Sequence, residues 1–157
     1  MADAAMPPVE DRYFEDYPVG GVFTFGSIGL DRDEVIAFAE AYDPQPMHTD
    51  PAFAEAGPFK GLIASGWHTA ALAMRLYVDH FLTHAASLAS PGIDELRWPR
   101  PARPGDLLSI RVTVLESVPS RSKPDRGMIR ALVETLNDQG EVVMSMKVMS
   151  LIGKRPA

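Results

Sequence analysis

The sequence predicts an α+β domain in which a curved antiparallel sheet wraps one long helix. Three observations predict it. Residues 67–83 carry Trp67, Ala70, Leu72, Met74, Tyr77 and Phe81 around most of a helical perimeter, as in a helix enclosed by other structure. Later in the chain, Leu108, Ile110, Val112 and Val114 alternate with Ser109, Arg111 and Thr113, and Val142, Met144, Met146 and Val148 share a face in the same way. That is the two-residue period of half-buried strands. Finally, no repeat or linker divides the 157 residues, a length that suits one domain with a sizeable core.

Each element has its own local cause. Residues 1–12 are rich in Ala, Pro and acids and are expected to be loosely held, leaving one domain over 13–157. Val22–Ile28, bounded by glycines, reads as the first strand. Asp31 with Glu34 three residues on marks a helix start, and Val35, Phe38, Ala39 and Tyr42 give its buried face. Pro44 closes that helix and leaves Asp43 among its unpaired carbonyls, where a raised carboxyl pKa is expected. Asp50-Pro51 opens a further helical turn, so Asp50 is read as a cap. Ser65 is the expected cap of the long helix, and Gly66 permits close approach to its backbone. Four strands are expected after it: 93–98, 108–114, 128–136 and 142–148, the last three as a meander. The turn at Asn137-Asp138-Gln139-Gly140 joins the final pair.

Composition removes several function classes. With no cysteine there are no disulfides, thiolate nucleophiles or Cys-based metal sites. A formal charge of -6 argues against nonspecific binding to nucleic acid or anionic membrane. Residues 1–9 lack a signal-peptide pattern, and the apolar run 70–82 is broken by Arg75, Asp79 and His80, so no membrane insertion is expected. The expected setting is the cytoplasm. His80 and His84 stand four apart without a matching carboxylate, so no metal site is read there.

The stretch with most chemistry is Asp43-Pro44-Gln45-Pro46-Met47-His48-Thr49-Asp50. Two prolines stiffen a backbone that carries an acid and a histidine five apart, the construction of a loop that aims a base. Nothing in the spacing alone excludes plain capping roles for both.

This stretch resembles the MaoC-like branch of the hotdog superfamily, which contains (R)-specific enoyl-CoA hydratases. The resemblance runs through Phe38–Asp43, Pro46–Asp50, Phe53-Ala54, Gly61–Gly66, Leu96–Pro99 and Arg103–Asp106. It implies a hotdog fold, with the long helix wrapped by the sheet and two copies joined edge to edge. It implies reversible hydration of a 2-enoyl thioester, with CoA as part of the substrate, or an acyl carrier protein in its place, and no separate cofactor. Asp43 and His48 would position the water and Gly66 would offer its amide to the thioester oxygen. Gln45 and Pro46 would support the loop, with Gln45 standing where the family has asparagine. Ser65 replaces the usual histidine, Met74 stands where a helix serine is expected, and Ser65 and Trp67 are pocket candidates. Arg97, Arg100 and Arg103 form a basic patch among prolines that could meet CoA phosphates or pair with neighbouring acids. A thioesterase and a noncatalytic acyl-thioester-binding protein are the competing functions, since one fold serves several.

Overall fold

The computed structural model describes residues 5–157. Among these residues four α-helices, α1 (Arg32–Tyr42), α2 (Pro46–Thr49), α3 (Pro51–Ala56) and α4 (Gly66–His80), and two short 3-10 turns accompany six strands. These are β1 (Val22–Gly29), β2 (Ser87–Ala89), β3 (Ile93–Arg97), β4 (Leu107–Pro119), β5 (Arg126–Leu136) and β6 (Val142–Gly153). All strand pairs are antiparallel, in the order β1-β4-β5-β6-β2, and β3 also pairs with β6. β4, β5 and β6 form the expected meander. Gly140 takes φ +77° in the turn between the last two, a region in which a side chain would strain the backbone. β2 was not foreseen, because three exposed residues at a sheet edge carry no periodicity.

The main core lies between α4 and the sheet. Ala73, Leu76, Tyr77 and Phe81 pack with Ile110, Val112, Ile129, Val133, Met144 and Met146, all essentially buried. This is the hotdog arrangement. Two expectations about the helix need correction. It ends at His80 rather than Thr83, because the Arg12 guanidinium donates to the carbonyls of His80 and Phe81 at 2.6 and 2.8 Å. Thr83 then turns the chain, its hydroxyl donating to Arg12 O and accepting from the Ala85 and Ala86 amides. The helix is also not enclosed all round. Trp67, Ala71, Arg75 and Asp79, spaced by four, form an exposed stripe along it.

The segment expected to be loosely held has its first four residues outside the described part, and Val9 and Arg12 within it are buried. A smaller core of Leu30, Val35, Ala54, Leu62, Ala64, Ala102, Leu108 and Val143 lies beneath residues 43–65. That second cluster includes Val35 of α1 and Ala54 of α3, the helices on either side of the Asp43–His48 segment. Among the described residues, no helix is long and apolar enough to cross a membrane.

Candidate active site

Asp43 is the C-cap of α1, whose start is fixed by the Asp31 carboxylate accepting from the Glu34 amide at 3.0 Å. Pro44 prevents continuation, and the chain re-enters one helical turn at Pro46, a favoured first helical residue. This short α2, which the prolines had concealed, swings His48 inward until it is buried. Asp50 then caps α3 through the Ala52 and Phe53 amides at 3.0 and 3.1 Å, the role read from its sequence context.

The two side chains meet. His48 Nε2 lies 3.4 Å from Asp43 Oδ2, while His48 Nδ1 lies 2.8 Å from the carbonyl oxygen of Ile63. A carbonyl can only accept, so Nδ1 carries the hydrogen. In its neutral form His48 then presents the Nε2 lone pair beside Asp43 Oδ2, two acceptors close enough for one water to touch both from the side. Asp43 is held from two further sides. Ser65 Oγ donates to Oδ2 and Gln45 Nε2 to Oδ1, each at 2.7 Å.

These bonds overturn the expected raised carboxyl pKa. Ser65 first, then Gln45, and more weakly His48 hold Asp43 below the ordinary carboxylate range, against the opposing effect of burial. Two donors in contact outweigh the diffuse field of a helix end. Gln45 thus bonds to the acid itself, and its backbone carbonyl accepts from the His48 amide as the cap of α2. Ser65 is fully buried behind Asp43 rather than on a pocket wall, and it also caps α4 by accepting from the Trp67 amide. The sequence disclosed the cap but not the second bond.

Asp43, Gln45, His48, Gly66 and Trp67 border one open cavity of about 440 Å³. Its walls continue through Ile63, Ala64, Thr69, Ala102 and Val143 on one side and Phe59, Trp98 and Arg100 on another. Gly66 occupies the first position of α4, where the amide has no intrahelical acceptor and the helix dipole is positive. An acid, an oriented imidazole and a free helix-terminal amide thus border one space.

The sequence from residue 16 to 135 matches the model of the MaoC like domain. The chain belongs to the MaoC-like family. The MaoC-like dehydratase from Rhodospirillum rubrum superposes with a TM-score of 0.86 at 40% identity, covering 93% of this chain and 99% of that one. Among characterised and uncharacterised relatives, YdeM of Bacillus subtilis (strain 168), an uncharacterized protein, is 31% identical over 90% of this chain and 98% of its own. The 3-hydroxyacyl-thioester dehydratase Z of Mycobacterium tuberculosis is 34% identical over 69% of this chain and 70% of its own.

Within this MaoC-like frame the other expected residues separate. Trp67 lines the cavity but is 58% exposed, in edge contact with Trp98. Met74 does not border the cavity; it packs, partly buried, against the main core. Arg100 lines the mouth and pairs with Glu141 at 2.9 Å, whereas Arg103 donates to Phe59 O. Arg97, on β3, makes no ion pair among the described residues. The expected basic patch is therefore spread over several partners. His80 stacks on Phe25, and His84 lies beyond the helix with Nε2 against Val78 O. Trp98 is one of several wall residues, with Phe59 and Thr69, that sequence reasoning missed; its cue was its place after β3, beside the Pro-rich turn.

Proposed function

We propose that this MaoC-like protein reversibly hydrates a 2-enoyl thioester to a 3-hydroxyacyl thioester. One observation carries the reading: Asp43 and His48, with Oδ2 and Nε2 3.4 Å apart, border the same cavity as Gly66. A water touching both gives a proton to His48 Nε2 as its oxygen bonds to Cβ of the enoyl group. The π electrons move to the thioester oxygen, where the Gly66 amide stabilises the enolate charge. His48, now imidazolium and paired with Asp43, returns the proton to Cα. The balance is one water added across the double bond. Asp43, kept ionised by Ser65 and Gln45, orients the water and supports the imidazolium rather than carrying the proton itself. The relatives named as dehydratases support the same reaction in reverse.

The carrier belongs to the polar side. A second cavity of about 510 Å³ shares Phe59, Arg100 and Pro101 with the first and adds Arg103, Asn137 and Gln139 together with the acids Asp106 and Glu141. Arg100 and Arg103 are the residues proposed to meet the phosphates of CoA, or of the arm of an acyl carrier protein, in place of their present partners. Arg97 is left as general electrostatic attraction. The free edges of β1 and β2 suit pairing of two copies, which a mass measurement in solution tests directly.

The deciding experiment follows the 2-enoyl absorbance of crotonyl-CoA with a thiol reagent present. Reversible loss of absorbance without thiol release, absent in folded Asp43→Asn and His48→Ala proteins, is expected. Thiol release with the double bond intact would replace hydration by hydrolysis.

A further inference from the structure

Gly66 is glycine for a reason that lies outside its own helix. A Cβ placed there would come within 2.4 Å of Trp98 Cε2, 2.7 Å of Nε1 and 2.8 Å of Cδ2, all in the indole. The ring is fixed in that place from two directions. Its Nε1–H donates to the Gly66 carbonyl at 2.9 Å, and it meets Trp67 edge to face at 5.5 Å and 76°. It borders the same cavity as Asp43 and His48. The indole therefore covers the flank of the residue whose amide heads the helix. Pro99 and Pro101, in the turn that follows, border the same cavity.

We propose that Trp98 sets the width of the acyl site beside the thioester, and so the tolerance for a substituent on carbon 2. The inference rests on the hydratase reading above, in which the thioester oxygen faces the Gly66 amide. An acyl group bound there has its carbonyl carbon and carbon 2 next to Gly66, and Trp98 fills the space on that side. A branch at carbon 2 competes with the indole, whereas extension of the chain beyond carbon 4 moves away from it. Gly66 and Trp98 act as one unit: the missing side chain of the first makes room for the ring of the second.

The test uses two saturated thioesters that cannot be hydrated, butyryl-CoA and 2-methylbutyryl-CoA. Their dissociation constants are measured by calorimetry for wild type, Trp98→Ala and Trp98→Phe, each checked for folding by circular dichroism. One extra methyl group in a tight apolar site is worth about tenfold or more in selectivity. Trp98→Ala is therefore expected to shift the affinity ratio towards the branched ligand by about tenfold. Trp98→Phe, which keeps a ring and loses the Nε1–H, is expected to shift it in the same direction by less. Trp98→Phe carries the test if the alanine protein does not fold. A ratio unchanged within about twofold in the folded variants overturns the role of Trp98. Turnover of crotonyl-CoA by wild type is measured alongside. If wild type hydrates it and the ratio stays fixed, only this inference falls. If wild type neither binds the saturated thioesters nor turns over crotonyl-CoA, the hydratase reading falls and takes this one with it.

Discussion

The contact between α4 and the sheet and the segment 43–66 at its end are held by different means. In the first, Tyr77, Phe81, Ile110 and Met146 lose nearly all their exposure, and cohesion comes from apolar area taken out of water. In the second, a small apolar cluster supplies a floor, but the positions of the working side chains depend on individual hydrogen bonds. These run from Ser65 and Gln45 to Asp43, and from His48 to Ile63. An error in the first region costs stability. The second loses a direction when one bond is lost. Stability and chemistry are thus lodged in different parts of one short chain.

The sharpest way to separate them is Asp43→Asn. It removes the charge that supports His48 but keeps the shape, so crotonyl-CoA hydration is expected to fall by about 10²–10⁴-fold. Stability at neutral pH should fall only by what the ionised carboxylate draws from Ser65 and Gln45, a deficit that shrinks in acid. A larger loss, undiminished in acid, would instead make Asp43 a structural group.

Ile110→Ala reverses the pattern. Ile110 is fully buried beneath α4, and its truncation should cost about 2–5 kcal/mol in denaturant unfolding. Specific activity of the folded fraction is expected to stay near that of wild type.

Ser65→Ala falls between these two and links both regions. Loss of a hydrogen bond to a charged group, worth about 1.5–3 kcal/mol, should lower kcat/KM by roughly tenfold or more. It should also let the Asp43 pKa climb back towards its usual range. The sign follows from the depressed folded-state value. The stabilisation is present above the unfolded pKa, near 3.9, and is lost as pH falls through the folded one. The stability deficit of Ser65→Ala should thus be larger at neutral pH than in acid well below pH ~4, where only the loss of the Trp67 cap remains. Equal deficits at both pH values would sever Ser65 from the ionisation of Asp43.

Asp50→Ala gives the smallest effect. Asp50 lies seven residues from Asp43 in the same segment, but its carboxylate only caps α3. A loss of about 1 kcal/mol with unchanged KM is expected.

Legibility in the sequence followed the same division. The β4–β6 meander and the buried face of α4 could be read because burial on one side imposes a period. The exposed stripe at Trp67 and Ala71 could not, since apolar residues do not announce which of them remain uncovered. The end of α4 was missed because its carbonyls are met by Arg12, 68 residues earlier. At the site, prolines marked the rigid segment and family resemblance singled out Asp43, His48 and Gly66. The direction of the Asp43 shift was read wrongly because Ser65 Oγ arrives from 22 residues away. Local spacing carries helix caps well; it does not carry a donor brought in by the fold.

The chain has two tryptophans, and both border the cavity of Asp43 and His48, 5.5 Å apart. Ultraviolet emission excited at the indole band therefore arises wholly from this one corner of the molecule. A bound acyl group that excludes solvent from either ring should change its colour or yield. The protein carries a built-in optical probe, and stopped-flow records of unlabelled material would time the arrival and departure of ligand without any chemical step.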